Sequence, residues 1–227
     1  MTAMRRVWAI ADTHLSFARP KPMDVFGEHW RDHPARIEAA CRAVIAPEDL
    51  LLMPGDLSWA LRRAEAEPDL AWLAALPGIK VLAKGNHDYW WDSDRPLNSP
   101  GLHDTPFVSD DGWVGVAGTR GWYAPSGEMA AAERAQCEKI IAREIGRLER
   151  RLEAIRDCPH KFALIHYPPL EAFAPLLKAH GVGTVLYGHL HLDGGESPLP
   201  ERWHGLRALC VACDRLLFRP RLVATLG

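Results

Sequence analysis

Short apolar runs alternate with longer amphipathic stretches along most of this chain. Each run is rich in Val, Ile, Leu or aromatic residues and ends at glycine, proline or a polar residue, as buried strands do. The predicted strands cover residues 7–10, 50–53, 80–83, 114–117, 162–165 and 184–187. Strands that alternate with helices indicate an α/β fold.

Three stretches between these strands carry helical periodicity. Residues 34–45 and 65–76 are predicted helices, the second interrupted near Pro68, which lacks an N–H donor. The longest helix is predicted over residues 127–157, with Ser126 as the residue that caps its start. Its apolar stripe, which should pack against a sheet, consists of Ile141, Ile145, Leu148, Leu152 and Ile155.

The remaining segments complete a single predicted domain over residues 1–227. Residues 206–211, 216–218 and 221–226 look like consecutive strands of an antiparallel edge. Residues 92–106 are rich in Pro, Asp and Ser and are predicted to form a surface loop. No repeat or linker divides the chain, whose length fits one large domain.

Composition excludes several functional classes. The formal net charge of -2 gives no sign of a membrane surface or a long nucleic acid as partner. Five cysteines, an odd number spread along the chain, are typical of a reduced intracellular protein. No apolar run approaches the roughly 20 residues of a membrane helix, and the first residues do not resemble a secretory signal. We therefore expect a cytoplasmic protein.

Residue types that bind metals follow five of the six predicted strands. They are Asp12-Thr13-His14, Gly55-Asp56, Gly85-Asn86-His87-Asp88, His166 and Gly188-His189-Leu190-His191. In open α/β sheets, ligands bind where the loops at the carboxyl ends of the strands converge. Each segment alone is a weak signal, but their order and placement together predict one site.

The chemistry of these residues suits hard to borderline divalent or trivalent cations. Imidazole binds Zn, Fe and Ni, carboxylate and amide oxygens bind Mn and Mg, and no cysteine is involved. Asp12 and His14, like His189 and His191, stand two positions apart, so in an extended chain each pair leaves the backbone on the same side. Asp56 has two carboxylate oxygens and could therefore bridge two cations.

The complete motif series, over roughly residues 7–191, resembles that of the calcineurin-like metallophosphoesterases. The tail, residues 213–222, is similar to small bacterial phosphohydrolases of the same superfamily. The resemblance implies an α/β four-layer sandwich, in which two mixed β-sheets are flanked by α-helices. It also implies a two-metal hydrolase, in which a hydroxide held between the cations attacks a phosphate ester.

The resemblance also implies a role for each motif residue. Asp12, His14 and His191 should hold one metal, Asn86, His166 and His189 the other, and Asp56 should be shared. His87 should be the catalytic imidazole and Asp88 the carboxylate that orients it. Manganese is the first choice of cation, and iron and zinc fit the same ligands.

Residues outside the motifs are candidates for contacts with the substrate. Arg120, which follows a predicted strand between two glycines, either grips the phosphate or is an ordinary surface arginine. The pairs Trp90–Trp91 and Trp122–Tyr123 either stack on an aromatic leaving group or pack in the core.

Departures from branches of the family narrow the expected activity. The residues after Asp56 differ from the Asp-Arg-Gly run of protein phosphatases, and Trp59 replaces the iron-binding tyrosine of purple acid phosphatases. We expect hydrolysis of a small phosphoester, with a slight preference for diesters. The alternatives are a phosphomonoesterase or nucleotidase, a pyrophosphatase, or a non-catalytic interaction module of the same fold. Oligomeric state stays open.

Overall fold

Two β-sheets organise the part of the chain that this computed structural model describes, residues 5–92, 95–195 and 198–227. The strands are β1 (Arg5–Ala9), β2 (Leu50–Met53), β3 (Ile79–Leu82), β4 (Leu102–Asp104), β5 (Phe107–Val108), β6 (Val114–Thr119), β7 (His160–Ile165), β8 (Thr184–Tyr187), β9 (Arg202–Trp203), β10 (Leu206–Cys210) and β11 (Arg221–Leu226). The α-helices are α1 (His33–Val44), α2 (Arg63–Ala75), α3 (Ala131–Ala154) and α4 (Ala174–Ala179). All six strands predicted from the apolar runs are confirmed.

Both sheets are mixed, with parallel strands at their centres. The first has the order β11-β1-β2-β3-β4, in which only β11 runs antiparallel to its neighbour. The second has the order β5-β6-β7-β8-β10-β9, with antiparallel pairs at its two edges. The carboxyl ends of the central strands therefore point in one direction within each sheet.

Alternating side chains along the strands divide the core into three layers. Val7, Leu52 and Leu164 belong to the cluster that fills the space between the two sheets. Leu51 on the outer face of the first sheet packs in the cluster that includes α1 and α2. Tyr187 on the outer face of the second packs in the cluster of α3 and α4. This arrangement is the four-layer sandwich that the family resemblance implies.

Two details of the predicted helices are wrong. Helix α2 continues through Pro68, because one lost backbone hydrogen bond is outweighed by the buried face that includes Leu70 and Leu73. Helix α3 begins only at Ala131, and Ser126 does not cap it. The carbonyl oxygen of Ser126 instead accepts a hydrogen bond from the side chain of Arg134 at 2.7 Å.

The predicted antiparallel edge at the end of the chain is also wrong. Strand β10 pairs in parallel with β8 in the second sheet, residues 216–218 form a turn, and β11 pairs with β1 in the first sheet. Periodicity identifies a strand but not its partner, because pairing depends on distant segments. The loop predicted over residues 92–106 contains the short strand β4.

Two expectations from composition agree with the structure. All five cysteines are free thiols. Within the described ranges, no helix combines the length and the apolar character needed to cross a membrane.

Candidate metal centre

The loops after five parallel strands meet at one place, at the carboxyl ends of both sheets. Two groups of three side chains gather there, each with one ligand atom per residue and all three atoms within 4.8 Å of one another. The first group is Asp12, His14 and His191, and the second is Asp56, His166 and His189. The structure thus brings together six of the side chains that the motif series singled out, with Asp56 in the second group.

The backbone of these loops differs from the extended chain assumed from the i, i+2 spacing. Four ligands have left-handed backbones, with φ of 58° at Asp12, 42° at His14, 52° at Asp56 and 68° at His189. A residue other than glycine pays about 1–3 kcal/mol for such a conformation, which persists only where surrounding structure imposes it. Here the Asp12 N–H donates to the carbonyl of Gly55 at 3.0 Å, and the His14 N–H to that of Asp56 at 3.0 Å.

Hydrogen bonds orient the ligands of the second group. The Nδ1 atom of His166 lies 3.0 Å from the carbonyl oxygen of Pro54, so a proton on Nδ1 leaves Nε2 free to bind a metal. The Oδ1 atom of Asn86 lies 2.7 Å from Nε2 of His166 and 3.0 Å from Nδ1 of His189. The side chain of Asn86 therefore places a neutral oxygen atom beside this group.

Asp214 orients His191 of the first group, and the sequence patterns did not predict this role. Its buried carboxylate accepts hydrogen bonds from Nδ1 of His191 at 3.2 Å and from the backbone N–H of Leu192 at 2.8 Å. The Nε2 atom of His191 then lies 3.3 Å from Nε2 of His14. The sequence does contain a signal for this role, because Asp214 follows shortly after the apolar strand β10. The prediction that β10 belongs to an antiparallel edge placed Asp214 away from the site.

Two glycines of the motifs make room for the carboxylates. A Cβ atom on Gly85 would lie 2.1 Å from Oδ1 of Asp56, and one on Gly188 would lie 2.3 Å from Oδ2 of Asp12. Both distances are far below contact distance, so any larger residue at these positions would displace a ligand. Close packing of neighbouring loops, rather than a turn conformation, therefore explains these two glycines.

Burial and mutual charge shift the pKa values of the titratable residues at the centre. Burial raises the pKa of Asp12 to about 7, although His166 lowers it. Burial also raises that of Asp56, but His166 and His14 hold the pKa of this carboxyl well below its usual range. Burial lowers the pKa of His14 to about 3 and that of His189 to about 4. Burial lowers the pKa of His166 as well, but Asp56 raises it to about 9.

These opposing effects test whether the residues fit a metal centre. With all imidazoles neutral and both carboxylates ionised, the site would bury two negative charges beside crowded nitrogen lone pairs. Cations compensate that charge and use those lone pairs, which is why ligand deprotonation and metal binding are coupled. The oxygen and nitrogen donors fit two borderline cations.

His87 lies beside the ligands, but Asp88 does not orient it. Nε2 of His87 is 4.0 Å from Oδ2 of Asp56, while its Nδ1 has no hydrogen-bond partner in the described part of the chain. Asp88 instead accepts hydrogen bonds from the backbone N–H groups of Leu57, Ser58 and Gly85. A short buried loop turns the Asp88 carboxylate inward, so it fixes the loops that carry Asp56 and His87.

Aromatic rings, rather than a carboxylate, contact His87. The Trp59 ring lies 4.2 Å from the His87 ring and is stacked on His14 at 4.7 Å, measured between centroids. The predicted aromatic pair Trp90–Trp91 lies elsewhere. Trp90 and Trp91 are buried and pack in the core of the first sheet, so they are not available to stack on a substrate.

Arg120 lies on the side of the second ligand group. Its guanidinium stacks on Trp122, 4.5 Å from the ring centroid, and its Nε atom has no hydrogen-bond partner in the described ranges. Trp122 contacts Tyr167, whose ring is 4.1 Å from that of His189. A series of ring contacts thus connects Arg120 to His189 through Trp122 and Tyr167.

A family profile matches most of this chain. Residues 5–193 match the sequence profile of the calcineurin-like phosphoesterases. No curated protein matches the chain. Among solved structures, the chain is similar to the protein of unknown function AQ665 from Aquifex aeolicus, at 16% identity over 96% of this chain and 95% of that one, with a TM-score of 0.49. The profile spans most of the chain and all seven candidate ligands, and the chain belongs to the calcineurin-like phosphoesterase family.

Proposed function

We propose that this protein is a two-metal phosphohydrolase that cleaves a small phosphoester, with a slight preference for phosphodiesters. The observation that carries the proposal is the pair of three-residue ligand groups at one edge of the sandwich, with the imidazole of His87 beside them. Two cations held in this way suit the in-line displacement of an ester oxygen from phosphorus.

Each residue of the centre has a role in this proposal. Asp12, His14 and His191 would hold one cation, Asn86, His166 and His189 would hold the other, and Asp56 would contribute to both. When bound, the cations supply an acidified water as nucleophile and neutralise charge on the phosphoryl oxygens. Manganese is our first choice, and iron and zinc are compatible with the same donors.

The chain's own groups complete the reaction. His87 protonates the leaving oxygen or donates a hydrogen bond to it in the transition state. Asp88 keeps the loop of His87 in place through its backbone hydrogen bonds. Arg120, which stacks on Trp122 on the side of the second ligand group, binds phosphoryl oxygens of the substrate.

The proposal extends to the protein as a whole. We infer a single domain over residues 1–227, since β1 and β11 from opposite ends of the chain are neighbours in one sheet. The net charge of -2 supports a small substrate over a long nucleic acid. The free cysteines support a cytoplasmic location. A monoesterase or nucleotidase and a pyrophosphatase are rival activities at the same centre.

The test is hydrolysis by metal-stripped protein refilled with manganese. Bis-p-nitrophenyl phosphate and p-nitrophenyl phosphate serve as substrates, and the ratio of their kcat/KM values separates diesterase from monoesterase activity. We expect activity to appear with metal and to fall about 100- to 10,000-fold in His87→Ala.

The matched control is His103→Ala, which removes an exposed histidine of β4 and should leave activity unchanged. Metal content, measured by elemental analysis, should stay at two ions in both variants. Two bound metals with no hydrolysis of any phosphoester would contradict the proposal and favour the non-catalytic interaction module.

A further inference from the structure

A cavity of about 290 Å³ lies directly against the metal centre. One part of its wall belongs to the centre itself, namely His14, His87 and His191. The rest consists of Met23, Phe26, Trp30, Trp59 and Gly194. A phosphoryl group held at the centre would therefore have its ester substituent at the mouth of this cavity or within it.

Short turns between β1 and α1 carry most of the apolar wall. Met23 and Phe26 lie on the 3-10 turn Met23–Phe26, and Trp30 ends the turn Glu28–Trp30 that follows. Trp30 is 2% exposed, and its ring lies 5.5 Å from that of His191. Phe26, in contrast, is 53% exposed. The accessible aromatic ring of the cavity wall is therefore that of Phe26, while Trp30 is buried in the core of the first sheet.

Two side chains of the wall are hydrogen-bonded to each other. The indole Nε1 of Trp59 donates to the sulfur of Met23 at 3.2 Å, which also holds the two side chains together. None of Met23, Phe26 and Trp30 offers a charge to a ligand. Apart from the three histidines of the centre, the described residues that line the cavity carry no charged side chain, so this part of the wall suits an uncharged group.

An aromatic group matches such a wall better than an aliphatic one. Each aromatic pair adds the equivalent of about two- to tenfold in affinity beyond the burial of area. The thioether of Met23 also favours contact with an aromatic ring.

We propose that this cavity binds the organic group of the substrate, and that this group is an uncharged aromatic ring. The inference rests on the proposed function, because the phosphoryl group must be held at the metal centre. It goes further by naming the class of phosphoester, an aryl or aryl-bearing ester, and by assigning Phe26 to its recognition.

The test uses binding of phosphonates, whose carbon–phosphorus bond prevents hydrolysis. Affinities of manganese-loaded protein for phenylphosphonate, cyclohexylphosphonate and methylphosphonate are measured by titration calorimetry. We expect phenylphosphonate to bind about tenfold more tightly than methylphosphonate, with cyclohexylphosphonate between them. In Phe26→Ala, the preference for phenyl over methyl should fall about two- to tenfold.

Val25→Ala is the matched control for the aromatic wall. Val25 stands on the same turn, is 71% exposed, and is not part of the cavity lining. Its replacement should leave the preference unchanged, and an equal loss in both variants would overturn the assignment of Phe26.

The outcomes separate this inference from the proposed function. Equal affinity for phenyl- and methylphosphonate would overturn the inference and leave the phosphate-binding centre intact. Equal affinity for phenyl- and cyclohexylphosphonate would overturn the aromatic specificity. No binding of any phosphonate by the metal-loaded protein would count against the proposed function, and the inference would fall with it.

Discussion

Replacing Asp214 by asparagine keeps the size of the side chain but removes one of its two acceptors. The carboxylate accepts a hydrogen bond from Nδ1 of His191 through Oδ1 and one from the N–H of Leu192 through Oδ2. An asparagine amide has one acceptor oxygen, so one of the two donors must lose its partner. Because Asp214 is 1% exposed, water cannot easily replace the lost bond.

The size of the effect follows from this contact. A hydrogen bond to a charged group contributes about 1.5–3 kcal/mol. Removing the partner that orients a metal-binding histidine typically weakens metal binding about 10- to 100-fold, which corresponds to about 1.4–2.7 kcal/mol. The two estimates agree, and the loss should fall on the cation held by Asp12, His14 and His191.

The assay is equilibrium dialysis against manganese with a competing chelator, followed by elemental analysis. Wild type should bind two ions, and Asp214→Asn should show one binding step weakened about 10- to 100-fold. The control is Asp49→Asn, because Asp49 is equally buried but lies at the amino end of β2, away from the centre. Its carboxylate accepts hydrogen bonds from Arg6 and Trp8. Two unchanged steps in Asp214→Asn, or an equal loss in Asp49→Asn, would refute the reasoning.

Two further predictions concern packing and pH. Gly188→Ala forces a Cβ against Oδ2 of Asp12 and should weaken manganese binding about tenfold or more in the same dialysis assay. The control is Gly127→Ala, whose Cβ would have no atom within 4 Å and which should leave manganese binding unchanged. Equal affinities of the two variants for manganese would contradict the packing argument. Burial raises the pKa of Asp49, but hydrogen bonds from the backbone N–H groups of Ala46 and Arg6 outweigh burial and lower it overall. The ionised carboxylate of Asp49 should therefore contribute fully to stability above about pH 4 and lose that contribution as the pH falls further. We expect the urea midpoints of wild type and Asp49→Asn to converge at acid pH. A difference between the two midpoints that stays constant from about pH 7 to about pH 3 would rule this out.

Local sequence was sufficient for the central strands and for the ligands that follow them. A buried parallel strand such as Leu50–Met53 is a short apolar run, which can be recognised without knowing its neighbours. Since loops at the carboxyl ends of parallel strands converge, the placement of Asp56 or His166 after such a run already indicated a shared site. The assignment of ligands to two cations came from the family resemblance; in the structure Asp12, His14 and His191 lie together, as do Asp56, His166 and His189.

Contacts between distant segments required the tertiary structure. The pairing of β10 with β8 depends on residues about 20 positions earlier, and only that pairing brings Asp214 to His191. Likewise, Asp88 accepts hydrogen bonds from backbone N–H groups and none from His87, because the loops that follow β2 and β3 pack against each other.

The same holds for the shape of the site. The left-handed backbone of Asp12 is imposed by the loop of Gly55, and the aromatic cavity joins Trp30 to Trp59 across the sequence. Periodicity and residue type are local properties of the chain, and they indicated which side chains gather at the candidate metal centre. Sheet partners, buried hydrogen bonds and cavity walls depend on long-range packing, which the folded chain alone decides.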